Sequence, residues 1–294
     1  MDAQGAASTV FAFALTVTAA YHTLATPKNY TEVSKSKERD RWWEAMNSEY
    51  TSLIGLGTWE LVQKRPGDTV IGSMWAFKIK ELADGSIDKY KARLVARGDQ
   101  QKEGSYSEIF APVIKFVTLR ILLAIACVND WDLQQVDIGN AYCNSEVTNE
   151  EILMHQPAGF KQYGPNGEEL VCRLAKSLYG LKEAGRLWNS MLNNWLTQSK
   201  WKLHRCRSDH CLYYRNYKGK ILMVGVYVDD LVITGNCPKL IREFKTDIGN
   251  RFKISDLGDL KWILGMEVVR DRKARRLTLH QRNYINDILE LFNM

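Results

Sequence analysis

The side chains best placed to do chemistry in this sequence are the two adjacent carboxylates of Tyr227-Val228-Asp229-Asp230. Apolar runs flank them, Ile221-Leu222-Met223-Val224-Gly225-Val226 before and Leu231-Val232-Ile233-Thr234 after. Such runs read as two strands separated by very little, which puts both acids at the tip of a hairpin. A charge pair in apolar surroundings costs stability unless something cationic is held there. A divalent cation is the natural compensation, and hard carboxylate oxygens suit Mg2+. Asp-Asp is also ordinary turn chemistry, so a purely structural turn stands beside the metal reading. Asp137 follows Leu133-Gln134-Gln135-Val136 at the end of another strand. A carboxylate at a strand end beside a carboxylate hairpin is the arrangement a two-metal phosphoryl-transfer site needs, with ions about 3.5–4 Å apart. The alternative for Asp137 is a strand-end cap.

The elements around these acids follow from periodicity. Trp43, Met46, Tyr50, Leu53 and Ile54 predict one face of a helix that Gly55 and Gly57 end. Strands are expected at 59–63 and 74–82, then a turn at Ala83-Asp84-Gly85-Ser86 and a returning strand at 87–97. In that strand Tyr90, Ala92, Leu94 and Ala96 alternate with Lys89, Lys91 and Arg93, which predicts a half-buried hairpin with a cationic face. A buried helix at 118–128 is capped by Thr118, and amphipathic helices are expected at 183–196, 238–249 and 284–292. Residues 260–270 and 275–279 read as another strand pair. Strands and helices mix without strict alternation, which predicts an α+β fold with an antiparallel sheet and not a doubly wound parallel one.

Composition excludes other classes. The 294 residues carry 40 Lys+Arg against 34 Asp+Glu, a net charge of +6, with 45% hydrophobic and 25% charged residues. These are values of an ordinary globular chain, not of a disordered, collagen-like or small disulfide-rich one. The mild basic excess permits a nucleic-acid partner without demanding it. Six Cys, none in a CxxC pair, read as reduced thiols. The apolar run at 9–20 has no Lys or Arg before Lys28 and is too short to cross a membrane, so residues 1–30 are expected to be a poorly ordered lead-in. His204, Cys206, His210 and Cys211 have the composition of zinc ligands but not a recognised spacing. Trp42, Trp43, Trp188, Trp195 and Trp262 fall on apolar stripes, so most are expected in the core.

Asp137 followed by Tyr227-Val228-Asp229-Asp230 resembles motifs A and C of reverse transcriptases. More specifically the chain resembles the reverse transcriptase of copia-type (pseudovirus family) retrotransposons. The supporting blocks include Thr58-Trp59-Glu60-Leu61-Val62, Trp75-Ala76-Phe77-Lys78-Ile79-Lys80 and Lys89-Tyr90-Lys91-Ala92-Arg93-Leu94-Val95-Ala96-Arg97-Gly98. Phe110-Ala111-Pro112-Val113, Gln156-Pro157-Ala158-Gly159-Phe160, Ser177-Leu178-Tyr179-Gly180-Leu181-Lys182 and Leu264-Gly265-Met266-Glu267 continue the series in family order, from about residue 28 to the end.

The resemblance implies a right-hand polymerase: fingers at about 56–115, a palm at about 116–255 with an antiparallel sheet packed on helices (ferredoxin-like), and a primer-grip hairpin with a thumb stub at about 256–294. It implies an RNA-directed DNA polymerase that transfers dNTP to a primer 3′-OH by a two-metal mechanism, with Asp137, Asp229 and Asp230 holding two Mg2+. Tyr142 would lie under the incoming sugar and exclude a 2′-hydroxyl. Lys78, Lys80, Lys91 and Arg93 would reach the triphosphate. Tyr179, Gly180 and Lys182 would place template and base pair, and Gly265 and Met266, beside Trp262, would grip the primer. Partners would be an RNA or DNA template with primer and dNTP, with no membrane. The thumb and RNase H regions of a parent polyprotein are expected to lie beyond this piece. The compartment implied is intracellular, in a cytoplasmic virus-like particle or the nucleus, and not secreted. A catalytically inactive nucleic-acid-binding relic, or a host-recruited interaction module, is the competing expectation. The chain departs from the family pattern at Glu183, where Gln is usual, and at Leu153, where Tyr is usual. It also departs at Ser145, where a Gly would tolerate positive φ, and by one residue fewer between Gly104 and Glu108.

Overall fold

A computed structural model describes residues 26–81, 86–104, 106, 108–147 and 151–294. Most of the expected lead-in, the centre of the 83–86 turn and part of the shortened 104–108 segment lie outside the described residues. Asn29 accepts the Glu32 N–H and starts the short helix α1 (Tyr30–Lys35), and α2 (Arg39–Gly55) follows. α2 buries Trp42, Met46 and Leu53. Trp42 takes the core position expected of Trp43, which is 42% exposed and stacks on Phe160. After β1 (Trp59–Gln63) and β2 (Val70–Ile71), β3 (Ser73–Glu81) and β4 (Ile87–Ala96) form the expected hairpin.

Next come α3 (Phe116–Val128), β5 (Asp132–Ile138), β6 (Leu153–Met154), β7 (Leu170–Leu174) and α4 (Ala184–Gln198). α3 begins two residues before Thr118, whose hydroxyl bonds Asp209 and so does not cap the helix. β8 (His204–Arg205), β9 (Leu212–Tyr217), β10 (Lys220–Tyr227) and β11 (Asp230–Gly235) lead to α5 (Pro238–Arg251), whose first residue is the proline that suits a helix start. The chain closes with β12 (Ile254–Asp259), β13 (Trp262–Ile263), β14 (Met266–Asp271), β15 (Arg276–His280) and α6 (Arg282–Leu291). The single strand expected at 260–270 is broken, because Leu264 and Gly265 take φ of 52° and 75° and reverse the chain.

The central sheet has the order β12-β5-β11-β10-β9-β8 and is antiparallel throughout. Helices cover both faces. A Cβ at Gly225 would meet Ile114 and Leu122, so α3 lies on that side. Tyr213 pairs with Val224 and reaches Asn193 of α4 on the other. A second core joins α2, the β3–β4 hairpin and β7, whose sheet β1-β7-β6-β2 contains one parallel pair, β2–β6. Tyr142 packs against both cores. Four of the six free thiols, Cys127, Cys143, Cys172 and Cys211, are buried. Burial pushes the Cys143 thiol up to about 12, which keeps it protonated. No helix among the described residues is long and apolar enough to cross a membrane.

Candidate active site

Register brings the acids together. β11 pairs with β5 so that Asp230 stands directly opposite Asp137, and β10 pairs with β11 so that Tyr227 closes the hairpin against Asp230. Side chains opposite one another on antiparallel strands share a face, with Cβ atoms about 4.5–5.5 Å apart, and like charges there repel. Asp229 occupies the adjoining turn. Its carbonyl accepts the Ile138 N–H at 2.9 Å, which ties the turn to the residue after Asp137.

The turn itself is held in an unusual shape. Val228 has φ of 55°, a left-handed conformation that a β-branched residue adopts at a cost. Its carbonyl accepts a hydrogen bond from Trp188 Nε1 of α4 at 2.7 Å, and Trp188 is 2% exposed. Gln135, two residues before Asp137, donates from Nε2 to Asp230 Oδ1 at 3.0 Å.

Burial raises the Asp229 carboxyl, and the charges of Asp137 and Asp230 push it further up. Burial likewise raises Asp230, with Asp137 adding to it and the Gln135 hydrogen bond opposing it. The acids therefore destabilise one another. Among the described residues no three His, Cys, Asp or Glu side chains stand close enough for a ready-made metal cage. The chemistry of the donor set nevertheless fits a hard divalent cation, which accepts a few carboxylates and keeps several waters. The His204, Cys206, His210 and Cys211 cluster forms no such cage either.

Facing the acids is the cationic hairpin. Lys78 is opposite Lys91, and Lys80 is opposite Lys89. Arg93 pairs with Ala76 and so shares the face of Lys78 and Lys91. Burial lowers the Lys91 ammonium, Arg93 and Lys80 lower it further, and Asp137 and Glu49 oppose the fall. The Arg93 guanidinium lies 4.9 Å over the Tyr179 ring, and that ring meets Tyr142 edge-on at 4.8 Å. Burial, then the Asp229 charge, raises the Tyr142 hydroxyl.

Tyr179 and Gly180 also join the two halves of the chain. The Ala96 N–H of β4 donates to the Tyr179 carbonyl at 2.8 Å. Gly180 has φ of 90°, and a Cβ there would fall 2.2 Å from the Ala96 oxygen. The Lys182 N–H donates to Gln101 Oε1 at 2.9 Å and its ammonium to the Tyr106 hydroxyl at 2.7 Å. Glu183 pairs with Arg186 at 2.6 Å, which offsets its charge locally. Ser145 has φ of −91°, so the strain expected there is absent. Gly265 and Met266 belong to the separate β13-β14-β15 sheet. Gly265 is exposed, whereas Met266 is 5% exposed and turned into the core. Arg270 of β14 anchors that sheet, donating to the carbonyls of Trp131 at 2.6 Å and Ala126 at 3.2 Å.

A family profile described as reverse transcriptase (RNA-dependent DNA polymerase) matches residues 56–294. The chain belongs to the reverse transcriptase family. It is 37% identical over 270 residues to the retrovirus-related Pol polyprotein from transposon TNT 1-94 of Nicotiana tabacum, covering 91% of this chain and 20% of that protein. Against the Pol polyprotein from transposon RE1 of Arabidopsis thaliana it is 40% identical over 258 residues, covering 87% of this chain and 17% of that one. The transposon RE2 polyprotein of the same plant matches at 39% over 257 residues. The domain thus spans about a fifth of the length of these relatives, and the resemblance to copia-type elements holds. Telomerase from Candida albicans, solved with a fragment of telomeric RNA, overlays with a TM-score of 0.39 at 10% identity, over 81% of this chain and 51% of that one.

Sequence reasoning missed Trp188 and Gln135 as supports of the acids and gave Trp188 only a core role. Trp188 lies 40 residues before the carbonyl it bonds, and nothing in the local pattern marks it.

Proposed function

We propose that this domain extends a DNA primer on an RNA or DNA template, adding dNTPs to the 3′-hydroxyl, with Asp137, Asp229 and Asp230 as the ligands of two Mg2+ ions. The observation that carries the reading is the register that sets Asp230 opposite Asp137 with Asp229 at the adjoining turn. When bound, Mg2+ would neutralise the three acids and stabilise charge on the attacking and leaving oxygens. The chain's own residues do the positioning. Trp188 and Ile138 hold the turn from two sides, so the carboxylates cannot drift apart. Lys78, Lys80, Lys91 and Arg93 bind the triphosphate; like-charged pairs such as Lys78–Lys91 are unfavourable until an anion lies across them. The Tyr142 ring walls the sugar pocket, where a 2′-hydroxyl would clash. Tyr179, Gly180 and Lys182 support the nascent base pair, and the exposed Gly265 turn presents backbone to the primer. In this reading residues 56–115 are fingers, 116–255 a ferredoxin-like palm, and 256–294 the primer grip and the start of a thumb.

Primer extension on poly(rA)/oligo(dT) with Mg2+ tests the proposal. Incorporation by the native chain and its loss in Asp229→Asn is the expected result. Salt-dependent binding of primer–template with no incorporation above that variant sinks it and favours a non-catalytic binder.

A further inference from the structure

Glu49 lies on α2, the helix that packs along β4. Its Oε1 is shut off from solvent and accepts no hydrogen bond among the described residues. Burial raises its carboxyl, while the Leu94 amide and the Arg93 and Lys91 cations hold it down. Its charge is also felt at the Cys143 thiol and the Tyr179 hydroxyl. An acid on the helix packed along β4 is therefore within electrostatic reach of Lys91, Arg93 and the Tyr179 hydroxyl.

A buried carboxylate with an unpartnered oxygen destabilises a fold, and an amide or apolar side chain would serve packing better. Its benefit falls on the cations. Lys91 is half-buried, with Lys78 opposite it on the hairpin, and the charges of Arg93 and Lys80 repel it. The acids that oppose this repulsion are Asp137 of β5 and Glu49 of α2. Asp137 is committed to the metal in the polymerase reading. Glu49 is then the negative charge that remains to hold the two cations when the site is loaded.

We propose that Glu49 is a positioning residue: a fixed negative charge behind β4 that arranges Lys91 and Arg93 to receive a triphosphate. The identity of that anion rests on the polymerase reading; Glu49 itself touches no nucleotide.

The test uses the full chain with Glu49→Gln and Glu49→Asp. Calorimetric titration with dTTP and Mg2+ gives the Kd, and primer extension separates KM from kcat. Glu49→Gln should weaken dTTP binding about five- to tenfold and raise KM in proportion, with kcat within about twofold. Its Tm should equal or exceed that of the native chain, because a buried charge has gone. Glu49→Asp keeps the charge and should recover most of the loss. Unchanged or tighter dTTP binding in Glu49→Gln overturns the inference, because the acid then merely opposes the anion. Equal losses in the Gln and Asp variants, or a loss in kcat alone, also overturn it, since they mark a packing role. The titration needs no turnover. A native chain that binds dTTP without incorporating it refutes the polymerase reading and leaves the Kd comparison to decide this one; a native chain that does not bind dTTP overturns the inference outright.

Discussion

Replacing Trp188 by Phe isolates the device that shapes the acidic turn. The substitution keeps an aromatic ring in the core and removes the indole N–H that bonds the Val228 carbonyl at 2.7 Å. A buried acceptor left without its donor costs about 1–3 kcal/mol. The smaller ring adds about 1 kcal/mol for the space it leaves. Against this, Val228 can abandon its φ of 55°, and relief of a left-handed residue returns about 1–2 kcal/mol. The balance is a loss of about 1–2 kcal/mol, which for a domain of this size lowers Tm by roughly 2–8 °C. The larger consequence is chemical. A relaxed turn moves Asp229 away from Asp137, and a displacement of about 1 Å at a reacting centre costs on the order of 100-fold in rate. Steady-state primer extension should show kcat reduced by about that factor with KM for dNTP little changed, since the cations are untouched. A second variant sharpens the test. Adding Val228→Gly lets the turn hold positive φ without an anchor, so the double variant should regain much of the lost kcat. A Trp188→Phe chain that melts earlier yet keeps its native kcat would refute the claim that the indole shapes the site. So would a double variant no faster than the single one.

Tyr142→Val should lower discrimination against ribonucleotides at least tenfold in single-nucleotide incorporation, whereas a core-only role would leave the ratio of dNTP to rNTP unchanged and reduce Tm alone. Gly180→Ala places a Cβ 2.2 Å from the Ala96 oxygen at a φ of 90°, so unfolding in urea should show a loss of about 3 kcal/mol or more. Native stability in its absence would show that the seam between β4 and Tyr179 can open freely. The pH dependence follows from the raised carboxyls of Asp229 and Asp230. Their folded pKa values exceed the unfolded ones, so the folded chain binds more protons; their contribution to stability is greatest below the ordinary carboxylate range, about pH 4, and falls as pH rises through the folded values. In EDTA, Asp229→Asn should therefore melt above the native chain at pH 7, with the gap closing towards pH 4. A gap that does not change with pH would contradict the assigned direction.

The acidic hairpin was legible because its signal is local. Apolar runs on either side of Tyr227-Val228-Asp229-Asp230 leave room only for a tight turn, and the strand at Asp132–Ile138 ends where the residue types change. The cationic face of the β3–β4 hairpin was legible for the same reason, through strict alternation along β4. Where a side chain had two partners to choose from, local pattern failed. Thr118 looks like a cap, but Asp209, itself bonded to the Lys115 and Cys211 amides, takes its hydroxyl. Trp42 and Trp43 lie four and three residues before Met46, so either spacing suits a helix face, and the choice falls to tertiary contacts: Phe77 and Tyr90 enclose Trp42, and Phe160 stacks on Trp43. Leu264 belongs by composition to a strand, yet takes the left-handed turn that aligns Trp262 with Glu267. Glu49 carries no signal of its own in the sequence, and only the approach of β4 makes its charge an internal one.

These long-range contacts share a purpose that the charges explain. The acids at the end of the central sheet repel one another, and so do the lysines paired across the β3–β4 hairpin. Left free, each set would spread, and the mutual attraction of the two sets would draw them into ion pairs. Both sets are held from behind: the acids by Trp188, Ile138 and Gln135, and Arg93 by the Tyr179 ring, which meets Tyr142 edge-on. The backbone seam at Ala96 and Gly180 then sets the separation between them. In the polymerase reading, the cations of the β3–β4 hairpin and the carboxylates of β5 and β11 would both be relieved by a ligand that presents anionic oxygens to the first set and a divalent cation to the second. A metal–nucleoside triphosphate complex has that polarity. In the proposed function, the electrostatic cost these residues carry and their affinity for that complex would be the same interaction seen in two states. Variants that weaken the supports should therefore lower the gain in Tm that Mg2+ and dNTP bring together.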